Sequence, residues 1–265
     1  LITALLGQAA MTDWAWRIPF LSSFVLVAIG LYVRLKLTEA PIFIATLNKP
    51  KPKTLPMMEV IVTHFKPFFL GMLICLAGYV LFYIMIAFSQ IYAKSAPTVS
   101  EAGYAMGLGF SPQIFTALLM CSAISLAITI AISGKYIDIV GRRIWLIWTT
   151  FGVAIFGLAL PYFLDNGTTT SLFWFLMIGM GLIGMGYGPL ASFLPELFPT
   201  HARYSGASLT YNIAGLFGAS VAAIIALPLN ANYGLKGVGI YLTLNAVLSL
   251  IGLWFITETR DRQLL

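Results

Sequence analysis

The run Gly134-Lys135-Tyr136-Ile137-Asp138-Ile139-Val140-Gly141-Arg142-Arg143 packs four charges between two stretches that carry none, Ala102 to Gly134 and Ile144 to Leu164. The chemistry open to such residues is ion pairing and hydrogen bonding rather than bond making. Asp138 suits either the first free N–H groups of a helix or a nearby arginine, and Arg142 and Arg143 suit the phosphate level of a bilayer. Gly134 and Gly141, one at either end, permit a tight reversal of the chain. A second charged turn, Leu194-Pro-Glu196-Leu-Phe-Pro199-Thr-His-Ala-Arg203-Tyr-Ser-Gly206, places Glu196 and Arg203 where they can pair, with Pro199 as a helix stop. Plain loop anchoring and gating both fit that turn.

The remaining polar residues of interest are uncharged. Tyr79, Tyr83, Ile86 and Gln90 recur at helical spacing, Ser208, Tyr211, Asn212 and Gly215 cluster further on, and Tyr241, Asn245 and Ser249 form a third stripe. Such stripes serve hydrogen bonding between helices more often than solute binding. The first offers tyrosine hydroxyls and flat apolar walls, which suit the lining of a path for a small polar solute. Gly179-Met-Gly181-Leu-Ile-Gly184 has the form of a dinucleotide fingerprint, but it lies inside an apolar run with no strand before it. Gly181, Gly184 and Gly188 instead make one smooth helix face for close packing. No phosphate-loop run and no cluster of metal-ligand spacing is present, so neither cofactor nor metal is expected. His64 and His201 fall in loops, where solvated or pairing roles are the default. Cys75 and Cys121 sit in apolar runs and read as small hydrophobes.

These residues must be positioned by membrane helices. With 60% hydrophobic and 9% charged residues in 265, the chain is an integral membrane protein. Its net charge of +6 then points to an anionic leaflet rather than to nucleic acid. Runs without charge give seven spans: Ile18 to Val33, Pro67 to Ala93, Ala102 to Gly134, Ile144 to Leu164, Asn166 to Pro195, Tyr204 to Leu235 and Gly237 to Thr257. The third, fifth and sixth are too long to lack a loop, and Pro112, Ser171 and Ser208 are plausible helix starts. Arg34, Lys36, Lys49, Lys51, Lys53, Lys66, Lys135, Arg142, Arg143, Arg203, Arg260 and Arg262 fall on one side, against Arg17, Lys94 and Lys236 on the other. That bias makes the first side cytoplasmic, the C-terminus with it. Between residues 37 and 66 the Pro- and Lys-rich run reads as a cytoplasmic linker ending in a short helix, Met57 to Lys66, lying on the membrane. The start of the chain, apolar and without a basic leader, reads as a piece cut inside a span of a longer protein.

Gly134-Lys-Tyr-Ile-Asp138-Ile-Val-Gly141-Arg142-Arg143 resembles the loop signature of the major facilitator superfamily, with Ile139 where a basic residue is usual. Trp16-Arg-Ile-Pro-Phe-Leu21, Glu39-Ala-Pro-Ile-Phe43, Gly186-Tyr-Gly-Pro189, the Pro-Glu-Leu-Phe-Pro-Thr run and Tyr204-Ser-Gly-Ala-Ser-Leu-Thr-Tyr-Asn212 resemble its metabolite:proton symporter group, which includes proline/betaine, α-ketoglutarate, citrate and shikimate carriers of bacteria.

The resemblance implies an all-α integral membrane fold: the C-terminal six-helix bundle of a twelve-helix transporter, preceded by helix six and the end of helix five. It divides the chain into residues 1–36 (end of the N-terminal bundle), 37–66 (linker), 67–257 (C-terminal bundle) and 258–265 (tail). It implies a cytoplasmic gate made of Gly134, Asp138, Gly141, Arg142 and Arg143, to which Glu196 and Arg203 are added from the second turn. It implies a cavity lined from the second and sixth spans, with Tyr79, Tyr83, Gln90, Tyr211 and Asn212 as candidates. Partners implied are a small metabolite, protons, the bilayer and the absent N-terminal half, in a bacterial inner membrane. No charged side chain lies at mid-membrane depth, so the proton-carrying groups belong to that half. A seven-span receptor or sensor, or a membrane-embedded enzyme, would need a mid-helix lysine or convergent acid and base groups, which these spans lack.

Overall fold

Long charge-free runs become long helices because within a bilayer each backbone N–H and C=O must be satisfied inside its own segment. A computed structural model describes residues 7, 9–36 and 56–259 of the chain. The linker stretch 37–55 with Lys49, Lys51 and Lys53, the first six residues, and the tail with Arg260 and Arg262 lie outside the described residues. The chain forms two compact units, Leu1–Lys51 and Pro52–Leu265.

The first unit holds one apolar helix, α1 (Arg17–Lys36), entered through a π turn at Met11–Ala15. Its basic residues Arg34 and Lys36 lie in the last turn, where they complement the helix dipole.

The second unit opens with the short helix α2 (Pro56–Thr63). It ends at Thr63 rather than at the expected Lys66, which falls in the next helix beyond a break at His64, and it does not simply lie on lipid. Val60 is fully buried against Leu70, Phe198 and Ala202 of the bundle, while Met57, Met58, Ile61 and Val62 stay exposed. Helix α3 spans Phe65–Lys94 and passes through a π segment at Ile84–Phe88. Helix α4 (Pro112–Val140) starts at its expected proline, with Ser111 Oγ accepting from the Ile114 N–H at 3.4 Å. Helix α5 (Arg142–Leu164) follows after the single residue Gly141. Helix α6 (Thr169–Glu196) begins two residues before Ser171, because Thr168 supplies the cap by accepting from the Ser171 N–H at 3.2 Å.

The last helical run, Arg203–Phe255, is 53 residues long, well over twice the roughly 20 residues that a bilayer core admits at 1.5 Å per residue. Gly234, at φ 66° and ψ −169°, breaks it into α7 (residues 203–233) and α8 (residues 235–255). Six helical stretches among the described residues are thus apolar and long enough to span, and the sixth supplies two crossings. Helix α7 starts at Arg203 rather than Ser208 and contains a further π segment, Leu216–Ser220.

Helix α4 packs chiefly on α6, and α8 packs on both α5 and α3. One apolar core joins Val80, Phe88, Phe156, Phe175 and Leu242, and another, at the end where α2 docks, joins Val60, Leu70, Phe193, Phe198 and Leu253. Outward rows such as Ile124, Ile128, Phe151, Ile155 and Leu158 remain exposed, as a lipid-facing surface requires. The chain is an all-α, multi-pass membrane protein.

Candidate functional site

Because consecutive spans alternate in direction, Lys66, Lys135, Arg142, Arg143 and Arg203 gather at one end of the bundle, and Lys94 and Lys236 at the other. At the basic end, α4 does not stop at Gly134. It continues to Val140, and Gly134 is an ordinary helical residue with open space where a Cβ would lie. The reversal rests on Gly141 alone, whose φ of 100° favours glycine.

Asp138 therefore lies in the last turns of α4 and not at a helix N-terminus. Its carboxylate, 71% exposed, approaches the Arg142 guanidinium at 3.6 Å. The N-terminus of α5 is served instead by Glu258, a residue past the last span that belongs to no motif. Its Oε1 and Oε2 accept from the Arg142 and Arg143 backbone N–H groups at 3.2 and 3.0 Å. A side chain at position 141 would meet Glu258 Oε2 at 2.9 Å, so glycine is needed there for contact as well as for backbone angle. Arg143 returns the contact: its Nε donates to the Leu253 carbonyl at 2.7 Å and its Nη2 to that of Trp254 at 3.0 Å. Each helix end thus supplies the charge that the other's free backbone groups lack.

Arg142 makes its main ion pair with Glu196 at the end of α6. The two side chains are only 17% and 12% exposed. Glu196 is therefore joined to the α4–α5 turn and not, as the sequence suggested, to Arg203, whose Nη2 lies 3.5 Å from Thr200 Oγ1. The two charged turns, fifty residues apart, form one cluster.

Deeper in the bundle a cavity of about 580 Å³, open solvent included, lies between α3, α5, α6 and α7. Its polar lining is hydroxyl: Tyr79, Thr149, Thr150, Tyr187 and Tyr211, with Cys75 beside them. Tyr79 and Tyr211 meet as tilted rings with centres 4.9 Å apart, and the Tyr187 and Tyr211 hydroxyls share a hydrogen bond of 3.1 Å. The expected candidates thus divide. Tyr79 and Tyr211 line the cavity. Tyr83 donates to the Ala223 carbonyl at 3.3 Å as a contact between α3 and α7. Gln90 is exposed, and Asn212 donates to its own helix at Ser208, neither reaching the cavity. Tyr187 was missed as a lining residue, although it lies in the Gly-Tyr-Gly-Pro run already noted. The third stripe is packing: Ser249 Oγ donates to the Leu73 carbonyl at 2.7 Å and accepts from the Ala77 N–H at 3.0 Å.

The described residues thus form a bundle of membrane-spanning helices, charged at one end and hydroxyl-lined within. The family model of the Major Facilitator Superfamily matches residues 1–223, and the chain belongs to that superfamily. It is 88% identical over 263 residues to a Haemophilus influenzae protein provisionally named a metabolite transport protein, covering 99% of this chain and 59% of the relative. It is 39% identical over 265 residues to the inner membrane metabolite transport protein YhjE of Escherichia coli, covering 100% of this chain and 59% of the relative. A more distant relative, at 26% over 276 residues, is the proline/betaine transporter of Escherichia coli, with 100% of this chain and 52% of the relative covered. The chain thus spans about three fifths of the length of the first two. No solved structure matches it.

Proposed function

We propose that residues 67–257 are the C-terminal lobe of a secondary transporter that couples proton entry to uptake of a small organic acid or zwitterionic osmolyte. Residues 1–36 then close the N-terminal lobe, 37–66 link the two, and 258–265 form the tail. The observation that carries this reading is the cavity built around Tyr79, Tyr187 and Tyr211. Three phenols with no full charge beside them suit a solute that brings its own charges and finds counter-charges on the opposing lobe. The named substrates of the distant proline/betaine relative are of that kind. The basic end faces the cytoplasm of a bacterial cell, following the bias of its lysines and arginines. Uptake by the full-length protein under imposed pH gradients tests the coupling, and uptake indifferent to a protonophore removes proton symport.

In this reading Tyr187→Phe removes the Tyr187–Tyr211 bond and raises the half-saturating substrate concentration by roughly five- to tenfold, the worth of one hydrogen bond. Tyr83→Phe leaves it unchanged. The opposite ranking in uptake kinetics would move the binding surface to Tyr83.

Asp138, Gly141, Arg142, Arg143 and Glu196, with Gly134 and Arg203 on the same two segments, act as the cytoplasmic gate. Asp138→Asn costs less than about 1 kcal/mol of stability, since the carboxylate is mostly solvated. It lowers uptake without lowering the amount inserted in the membrane. Wild-type uptake by that variant takes Asp138 out of the gate.

A further inference from the structure

At the basic end, three side chains that the gate does not use converge from three segments. Glu59 on α2, His64 between α2 and α3, and His201 in the turn between α6 and α7 each offer one ligand atom, all within 4.8 Å of one another. His201 Nε2 is 2.6 Å from Glu59 Oε1. Glu59 Oε2 is buried and, among the described residues, has no hydrogen-bond partner. The Glu59 side chain is 16% exposed and that of His201 47%.

An ion pair between Glu59 and His201 accounts for one carboxylate oxygen and one imidazole. It leaves the second oxygen, itself shielded from solvent, without a partner among the described residues, which is unfavourable unless something charged meets it. It also leaves unexplained why a second imidazole stands beside them. Two imidazoles and a carboxylate on separate segments are the donor set of a borderline-soft divalent ion. Magnesium or calcium would ask for oxygen ligands throughout.

We propose that Glu59, His64 and His201 bind one divalent transition-metal ion of the Zn²⁺ type and thereby tie α2 to the α6–α7 turn. Tetrahedral coordination places ligand atoms roughly 3.3 Å apart, so the site closes by about 1.5 Å on the ion. Rotation of the half-exposed His201 ring and of Glu59 supplies that movement, and water fills the fourth position. The sequence hid the site because its members are five and 137 residues apart along the chain. His201 follows Glu196 of the gate by five residues along the chain, so the ion ties α2 to the turn that leaves the gate.

The test uses the detergent-purified protein with a histidine-free tag, stripped by a chelator and titrated with Zn²⁺ at neutral pH against a chromogenic competitor. One saturable ion per chain and a rise in Tm on loading are expected. Glu59→Gln and His201→Ala each weaken binding by more than about tenfold. His201→Ala also breaks the pair with Glu59, so His64→Gln is the deciding variant: the His64 side chain makes no capping bond to α3. It weakens Zn²⁺ to the same degree while leaving the metal-free Tm unchanged. Co²⁺ in place of Zn²⁺ gives the visible absorption of a low-coordinate site in the wild type and not in His64→Gln. No saturable binding, or binding that His64→Gln leaves intact, overturns the proposal.

Discussion

Arg142→Met destabilises the folded protein by about 3–5 kcal/mol, because it leaves the Glu196 carboxylate in a largely buried position without its counter-charge. Asp138 is no substitute partner, having the same sign as Glu196, and the backbone N–H groups of α5 are held by Glu258. The double variant Arg142→Met, Glu196→Leu removes both charges and fills the space with apolar side chains. A buried pair replaced as a unit is close to neutral, so the double variant lies within about 2 kcal/mol of wild type. Unfolding in detergent, followed by helix signal, measures both. A double variant as unstable as the single one would show that the loss comes from the Arg142 side chain itself and not from an unpaired Glu196. The same pair of variants bears on the proposed gate: a stable double variant that fails to take up substrate places the pair in the conformational cycle rather than in folding.

What could be read from the sequence here, and what could not, follows from how far each interaction reaches along the chain. The spans were legible because bilayer solvation acts on every residue of a run, and a lone charge ends it. The basic turn was legible for the same reason. The α4 end was misplaced because Gly134 looked like a breaker, yet a glycine two turns from the end of a long apolar helix stays helical at a cost of only about 1 kcal/mol. Glu258, Tyr187 and the Glu59–His64–His201 group were hidden because each acts across more than a hundred residues or across two spans. The stripe from Tyr79 to Gln90 leaves the cavity at Tyr83, which turns to the Ala223 carbonyl, and Gln90 departs further for a local reason. The stripe assumes an unbroken α-helix, but the π segment Ile84–Phe88 inserts extra residues into the turn. One added residue rotates everything beyond it by roughly 100°, which carries Gln90 away from the Tyr79 side.

Gly184→Ala is expected to abolish most folded protein, whereas Gly181→Ala, one turn away on the same helix face, is tolerated. A Cβ at position 184 would overlap Thr129 Oγ1, and it would lie 2.6 Å from the Leu126 carbonyl oxygen and 3.2 Å from the Ile130 nitrogen of α4. Two of these three atoms are backbone and cannot turn aside, so α4 and α6 must separate. Thr129 would also give up bonds to the Ser125 and Leu126 carbonyls, at 2.8 and 3.1 Å. Overpacking of a close interface costs about 1–3 kcal/mol, and a clash with fixed backbone lies at or above the upper end. In a membrane there is little hydrophobic force to hold two helices together at a wider spacing, since lipid tails solvate their apolar faces equally well. At position 181 the nearest atoms are Ser125 Oγ at 3.0 Å and Thr129 Cγ2 at 3.7 Å, both side-chain atoms able to shift, so the cost stays under about 1 kcal/mol. Recovery of monodisperse protein after detergent extraction separates the two variants. Equal recovery would mean that α4 and α6 slide rather than lock at Gly184, and the smooth face would then belong to the moving parts of the bundle instead of its frame.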